Sequence, residues 1–307
     1  MIKNHKQVAS LIYGVLGILL FSAKAVFVKL AYQYEVDPVT LLLLRMLFAL
    51  PIYLVIAAGL QNNKAKRLTR PDYWQILYLG IVGYYLASFF DFWGLQYITA
   101  SLERLILFIY PTLVVLISAV AYNKPIKKKH WLAIAITYLG IAVIFLPDIS
   151  TSHSSDLWLG AFFIFLSAFT YALFIAGSGN LIPRIGSNKF TAWVMSVSCL
   201  FVIAHYLIAK DASVPDLPWQ VYGIGAILAI FCTVIPSFLI SQAINGIGAP
   251  NFAVLGSLGP VSTIVLAILI LGEQITYHQL IGALIVIAGI ISLQLLKTKP
   301  IVNKKVP

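Results

Sequence analysis

Apolar runs of about 20 residues recur along the whole chain, and they restrict its fold more than any other feature. Each run is long enough to cross a hydrocarbon layer about 30 Å thick as an α-helix. Only 10% of the residues are charged, against about 25% in soluble domains. We therefore expect an all-α membrane protein with about ten transmembrane helices, at residues 8–31, 38–60, 74–97, 101–121, 131–147, 157–180, 190–209, 220–242, 251–271 and 278–296.

The net charge of +11 is explained by where the charges lie along these spans. If the N-terminus is inside, most Lys and Arg fall in the inner segments, namely Lys3, Lys6, Lys64, Lys66, Arg67, Arg70, Lys124, Lys127, Lys128, Lys129, Arg184, Lys189, Lys297, Lys299, Lys304 and Lys305. The outer loops instead carry acids, namely Glu35, Asp37, Asp148, Asp156, Asp211, Asp216 and Glu273. This distribution follows the positive-inside rule. It predicts a multi-pass protein of a bacterial inner (plasma) membrane with both termini cytoplasmic, surrounded by membrane lipids and without a nucleic-acid partner.

The fourth and fifth spans superpose on the ninth and tenth when the sequence is shifted by about 149 residues. The shift aligns four identical pairs without a gap: Ala100 with Ala249, Pro111 with Pro260, Ile126 with Ile275 and Gly140 with Gly289. Since each half holds five spans, an odd number, the second half must enter the membrane in the opposite orientation. The sequence thus predicts two inverted five-helix repeats, residues 1–150 and residues 151–307, the second ending in a short basic cytoplasmic tail.

Several short motifs resemble the EamA repeat of the drug/metabolite transporter superfamily. The stretch 271–275 (Leu-Gly-Glu-Gln-Ile), followed by 280–283 and 288–289, resembles the end of that repeat. Residues 28–31, Pro38, 44–45, 99–101 and Pro111 resemble its opening and middle. The resemblance implies ten helices in inverted repeats, a central cavity, and export or exchange of small organic solutes. The chain departs from the family pattern at Asn123-Lys124, where Gly-Glu is usual, and in the cluster of Asp91, Glu103 and Arg104.

Ionisable residues inside apolar spans are the main candidates for a substrate site, because a charge in hydrocarbon costs several kcal/mol and must face protein or water. Lys24, Arg45 and Asp91 each lie six or seven residues, or roughly 10 Å, from the predicted outer end of their spans. Glu103 and Arg104 begin the fourth span from the same side. We expect Lys24 or Arg45 to bind an anion and Asp91 to bind an amine or a proton. Alternatively, Lys24 pairs with Asp91, and Glu103 with an arginine, only to hold the bundle together.

Aromatic and hydroxyl residues extend this predicted site. Tyr84, Ser88 and Asp91 share one face at helical spacing, and Glu103 shares a face with Tyr110. The complete predicted substrate-binding set is Lys24, Arg45, Tyr84, Ser88, Asp91, Glu103, Arg104 and Tyr110.

Two mid-helix prolines occupy corresponding positions in the two repeats. Pro111 and Pro260 each lack an N–H group, so the carbonyls of Leu107 and Gly256 are predicted to lose their helical partners. Paired interruptions of this kind mark the binding site in many carriers, although a static kink is an equal alternative. The predicted helix-break and gating residues are Pro111, Gly256, Ser257, Gly259 and Pro260.

We therefore expect a secondary transporter, not an enzyme, that moves amino acids or other carboxylate or zwitterionic solutes by alternating access. A membrane-embedded enzyme or a non-transporting receptor or scaffold is the alternative function, and hydrophobic drugs or nucleotide-like metabolites are the alternative substrates. The five histidines are not spaced as metal ligands, so no metal or cofactor is expected. Protons are a candidate coupling ion, and the sequence leaves the oligomeric state open.

Overall fold

The computed structural model of the chain consists of α-helices joined by short connections. It describes residues 2–61, 68–122, 155–210, 216–256, 258–274 and 276–295, with short pieces at 135–136, 139–140 and 142–143. The helices are α1 (Ile2–Tyr32), α2 (Pro38–Gln61), α3 (Arg70–Gly94), α4 (Ala100–Leu107), α5 (Tyr110–Tyr122), α6 (Ser155–Ile185), α7 (Ser187–Ala209), α8 (Trp219–Ile247), α9 (Ala249–Leu255), α10 (Leu258–Leu271) and α11 (Tyr277–Leu295).

These helices confirm the prediction of an all-α membrane protein. Seven described stretches are long and apolar enough to cross a membrane, and α10 and α11 add two shorter apolar helices. Large apolar side chains on the bundle exterior, such as Val55, Val120 and Ile208, are 73%, 84% and 82% exposed, as expected of surfaces that contact lipid tails rather than water. The predicted span at 131–147 lies almost wholly outside the described residues.

The third span begins four residues earlier than predicted because its N-terminus is capped. Thr69 and Asp72 form a capping box, in which the Asp72 carboxylate accepts hydrogen bonds from the Thr69 backbone N–H at 2.8 Å and the Thr69 hydroxyl at 2.6 Å. Pro71 stands in the first turn, where no backbone donor is required. Such a cap satisfies N–H groups that lack helical partners, and the helix extends to Arg70.

Three helices contain π-helical segments, at Leu79–Leu86 in α3, Ile230–Val234 in α8 and Ala267–Leu271 in α10. Such segments are frequent at functional sites because they reorient side chains within an otherwise regular helix. Within the second one, the Thr233 hydroxyl donates to the Leu228 carbonyl at 2.7 Å. Tyr84 and Thr233 both lie within such segments.

The fourth and ninth predicted spans are interrupted just before their prolines. A turn at Phe108 and Ile109 separates α4 from α5, and α9 ends at Leu255, followed by a turn at Gly256, before α10 begins at Leu258. The prediction that the Gly256 carbonyl has no partner is wrong, because its oxygen accepts a hydrogen bond from the Gly259 N–H at 2.8 Å. Ser257 lies outside the described residues.

The C-terminal half of helix α1 is buried among other helices. It packs against α8 and α10, while α2 packs on α7 and α3 packs on α6. Ala25, Val26 and Val28 of α1 are fully buried. A charged residue in this part of α1 therefore faces protein and not lipid, which is the environment predicted for Lys24.

Candidate functional site

Four of the predicted site residues form one buried cluster of charges. The Lys24 Nζ atom on α1 lies 2.5 Å from Asp91 Oδ2 on α3 and 3.7 Å from Glu103 Oε1 on α4. Arg104 places its Nε atom 3.7 Å from Glu103 Oε2. All four residues are at most 5% exposed. The predicted pairs of Lys24 with Asp91 and of Glu103 with an arginine are both present, and they connect three helices.

The two carboxylates of this ion cluster, Asp91 and Glu103, lie next to each other. Asp91 forms an ion pair with Lys24, and Glu103 is within ion-pair distance of both Lys24 and Arg104. The carboxylates therefore have charged partners, although none of these contacts has the orientation of a regular hydrogen bond. The two carboxylates and two cations give the ion cluster a formal charge of zero.

Arg45 lies in a different environment, one without a counter-ion. Its Nε atom donates to Thr233 Oγ1 at 2.6 Å, and its two terminal nitrogens donate to Ser88 Oγ and Tyr84 Oη at 3.4 Å each. The guanidinium also lies over the rings of Tyr84 and Phe92, 5.8 Å and 5.3 Å from their centroids. The residue is fully buried, and no carboxylate of the described residues lies within ion-pair distance of it. Among the described residues, the ion cluster and Arg45 together therefore carry a formal charge of +1.

Phe21 is a residue that sequence reasoning did not select, yet it lies at the middle of the site. Its ring stacks on Tyr171 at a centroid distance of 6.0 Å. The Lys24 ammonium and the Arg104 guanidinium lie 5.0 Å and 5.6 Å from the same ring. A phenylalanine in an apolar helix carries no sequence signal that separates it from ordinary core residues, so only the structure identifies it.

Phe21 and Tyr171 together separate three small cavities. One lies beside Lys24 and Ser88, one beside Arg104 and Tyr110, and one beside Thr191 and Ser241, with volumes of about 20, 20 and 10 Å³. Both aromatic rings line all three cavities. A cavity of this size holds about one water molecule, so none of the three has room for an organic solute in this structure.

The two interrupted helices contact each other at their breaks. The Tyr110 hydroxyl at the start of α5 donates to the Ala253 carbonyl of α9 at 3.4 Å. A Cβ atom added to Gly256 would overlap the Tyr110 hydroxyl, so the contact requires glycine. Tyr110 lines its cavity with Arg104 and not with Glu103, because the turn at 108–109 ends the helical face on which both were predicted.

A large vestibule lies at the end of the bundle where the acidic loop residues meet; we call this the acidic end. The vestibule has a volume of about 650 Å³ and is open to the surroundings. Its walls include Lys29, Glu35, Asp37, Thr99 and Glu273. The ion cluster does not line the vestibule, so protein separates the two.

A search of the described residues for three or more His, Cys, Asp or Glu side chains placed to hold a metal ion finds none. Asp91 and Glu103 are adjacent carboxylates, but their charged partners are Lys24 and Arg104 and not a metal ion. The described site thus offers ion pairs, hydroxyls and aromatic rings for binding a solute.

Comparison with known proteins identifies the family. The model of the EamA-like transporter family matches this chain twice, over residues 8–146 and 158–294. The chain belongs to the EamA-like transporter family. The two matched stretches cover nearly the whole sequence, so this EamA-like protein is a multi-pass membrane transporter and not an enzyme.

Curated relatives of this EamA-like protein are also named as transporters. It is 28% identical to the uncharacterized transporter YcbK of Bacillus subtilis, over 91% of each chain. It is 26% identical to the uncharacterized transporter sll1319 of Synechocystis, over 86% of this chain and 82% of the relative. The uncharacterized inner membrane transporter YicL of Salmonella typhimurium is 25% identical over 83% of this chain and 84% of the relative.

A solved crystal structure shares the fold. It superposes with a TM-score of 0.69 at 16% identity, covering 94% of this chain and 97% of the other. At this identity the likeness concerns the fold alone.

Proposed function

We propose that this EamA-like transporter carries a small organic solute bearing a carboxylate, such as an amino acid, by alternating access through the cavity between Lys24 and Ser88. The observation that carries the proposal is the fully buried guanidinium of Arg45, whose described contacts are hydrogen bonds to hydroxyls and aromatic rings rather than a carboxylate. A buried charge without a counter-ion is costly. An anionic substrate group near Arg45 would supply the missing negative charge.

Ser88 and Tyr84 give the solute a route to this charge. Both side chains contact Arg45, and both line the cavity that also contains Lys24. Because Lys24 is already neutralised by Asp91, Arg45 is the stronger candidate of the two predicted anion partners. The aromatic rings of Phe21 and Tyr171 would contact the apolar part of the solute.

The adjacent carboxylates of Asp91 and Glu103 suit the positive end of a zwitterion. An ammonium group has three donors and would share these carboxylates with Lys24 and Arg104, which already form ion pairs with them. A proton bound between the carboxylates would serve as a coupling ion in the same place. We propose export or exchange across the bacterial inner membrane, with both termini cytoplasmic as the loop charges predict.

A thermal-shift screen of the purified protein against amino acids, carboxylates, amines and nucleosides tests the proposal, because a solute that binds the folded state raises its melting temperature. We expect carboxylate-bearing solutes to give the largest shifts. The shift should be lost in Arg45→Gln, which removes the charge, and reduced in Tyr84→Phe, which removes one hydroxyl. Lys210→Gln also removes one positive charge, but Lys210 does not line any of the three small cavities; it is the matched control and should keep the shift.

Solute flux in liposomes then separates transport from binding alone. A solute whose thermal shift is unchanged in folded Arg45→Gln and Asp91→Asn variants would contradict the proposed site. Such a result would leave the charges as structural pairs and favour a site near the contact between Tyr110 and Gly256.

A further inference from the structure

Glu273 makes a contact between distant parts of the chain that the proposed substrate site does not use. Its Oε1 accepts a hydrogen bond from the Ala100 N–H at 2.8 Å. Its Oε2 accepts hydrogen bonds from the Ser101 N–H at 3.1 Å and the Ser101 hydroxyl at 2.6 Å. Ala100 and Ser101 are the first two residues of α4, whereas Glu273 follows α10 some 170 residues later.

The contact completes the N-terminal cap of α4. The first N–H groups of a helix have no helical partners and carry a partial positive charge, so they favour a carboxylate. Thr99, the residue before the helix, satisfies only the Leu102 N–H through its side chain, at 3.2 Å. Glu273 satisfies the Ala100 and Ser101 donors with charge-assisted hydrogen bonds, the stronger kind.

The position of α4 gives this contact a role in access to the site. Glu273 and Thr99 line the large vestibule at the acidic end. Glu103 and Arg104, one turn further along α4, belong to the ion cluster, which is at most 5% exposed. Fixing the N-terminus of α4 to Glu273 therefore fixes the segment that separates the vestibule from the cluster.

The sequence of the internal repeat does not contain the same pair of residues at the corresponding positions. Under the 149-residue shift, Ala100 corresponds to Ala249, Ser101 to Pro250 and Glu273 to Lys124. Lysine has no acceptor atom, and proline has neither an N–H nor a hydroxyl. Lys124, which lies outside the described residues, and Pro250 therefore cannot form the contact that Glu273 forms with Ser101.

We propose that Glu273 closes the acidic end of the transporter by holding α4, and that the absence of an equivalent pair makes the state closed at the acidic end the resting state. The inference rests on the proposed alternating access. It names Glu273 as a positioning residue for Glu103 and Arg104, not as a residue that contacts the solute. Breaking its contact should shift the equilibrium towards a state open at the acidic end.

Thiol labelling measures this equilibrium without any solute. A cysteine replaces Ala87, which lines the cavity beside Lys24 and is 6% exposed. The two native cysteines, Cys199 and Cys232, are buried and are replaced by alanine. A membrane-impermeant methanethiosulfonate is added to whole cells and to inverted membrane vesicles, and the modification rate of the new cysteine is followed from each side.

We expect Glu273→Gln to accelerate labelling about tenfold from the side that the acidic end faces. The control is Glu35→Gln, because Glu35 lines the same vestibule but makes none of the α4 contacts. This control should label at the parental rate. If Glu273→Gln fails to fold, Ser101→Ala removes a single donor hydroxyl and should accelerate labelling two- to threefold, roughly the effect of one modest hydrogen bond.

Unchanged labelling in Glu273→Gln from both sides, or equal acceleration in Glu35→Gln, would overturn the proposal. Because the assay contains no solute, a failed thermal-shift screen leaves its outcome unaffected. Conversely, a confirmed carboxylate substrate together with unchanged labelling would disprove the role of Glu273 alone.

Discussion

At the residue scale, the surroundings of Lys24 show how a charge is tolerated in the middle of an apolar bundle. One ammonium group faces two carboxylates, at 2.5 Å and 3.7 Å, and contacts the Phe21 ring on another side. Buried pairs of this kind gain little net stability over apolar residues, but removing one partner leaves an uncompensated charge. The pair is therefore sensitive to single substitutions.

We predict that Lys24→Met lowers the free energy of unfolding by about 3–5 kcal/mol, the usual cost of breaking a buried pair. The double variant Lys24→Met/Asp91→Leu should be less destabilised than Lys24→Met, because no lone Asp91 charge remains. Chemical denaturation in detergent measures both. Lys210→Gln is the control: its ion pair with Asp37, at 3.7 Å between partly exposed side chains, should contribute at most about 1 kcal/mol. A double variant no more stable than Lys24→Met would contradict the prediction.

The site residues that could be predicted from the sequence are those that are unusual in their surroundings. Lys24, Asp91, Glu103 and Arg104 are charged residues in or at the ends of apolar spans, so the cost of burial alone indicated that they would meet. Phe21 is equally central but is one apolar residue among many. Its role depends on which rings and charges the fold brings around it, and no spacing rule along one helix contains that information.

At the element scale, the two breaks form one structural unit rather than two separate kinks. The sequence predicted both from the prolines, but it could not predict that Tyr110 at one break would contact Ala253 and Gly256 at the other. The cap of α4 by Glu273 was missed for the same reason. Local capping rules consider residues within one turn, whereas this acceptor lies 173 positions away along the chain.

We predict that Gly256→Ala destabilises the protein by about 1–3 kcal/mol, as overpacking usually does, because the new methyl group would overlap the Tyr110 hydroxyl and lie 2.8 Å from the Ala253 carbonyl. The loss should shrink in a Tyr110→Phe background, which removes the overlapping hydroxyl. Gly223→Ala is the matched control, since no atom lies within 4 Å of its added Cβ. Thermal unfolding of Gly256→Ala, Tyr110→Phe, their double variant and Gly223→Ala measures the coupling between Gly256 and Tyr110. Strictly additive effects of the first two substitutions would disprove it.

At the scale of the whole molecule, the arrangement of helices was more predictable than their contacts. Nine of the ten predicted spans overlap described helices, with ends that differ by at most six residues, because long apolar runs have few alternatives in a bilayer. Whether the two halves are inverted, and which end faces the cytoplasm, remains a prediction from the loop charges. The vestibule at the acidic end would then face the exterior.

We predict that green fluorescent protein fused to the C-terminus is fluorescent and that alkaline phosphatase fused there is inactive, because the basic tail after Lys297 places this end in the cytoplasm. Phosphatase fused after Glu35 in a truncated chain should be active, since this loop is acidic. Fusions with the opposite pattern would reverse the orientation and place the vestibule on the cytoplasmic side.

The uncompensated guanidinium of Arg45 also has an electrical meaning. Under the proposed function, the described ion cluster and Arg45 give the empty carrier a buried formal charge of +1, which a bound monoanion reduces to zero and a bound zwitterion leaves unchanged. A transmembrane voltage acts on moving charge, at about 2.3 kcal/mol per elementary charge per 100 mV. If Arg45 moves through the field as the protein reorients, the voltage acts on the return of the empty carrier but not on the step that carries a monoanion. A cell would then set the rate of turnover through its membrane potential even without a coupling ion.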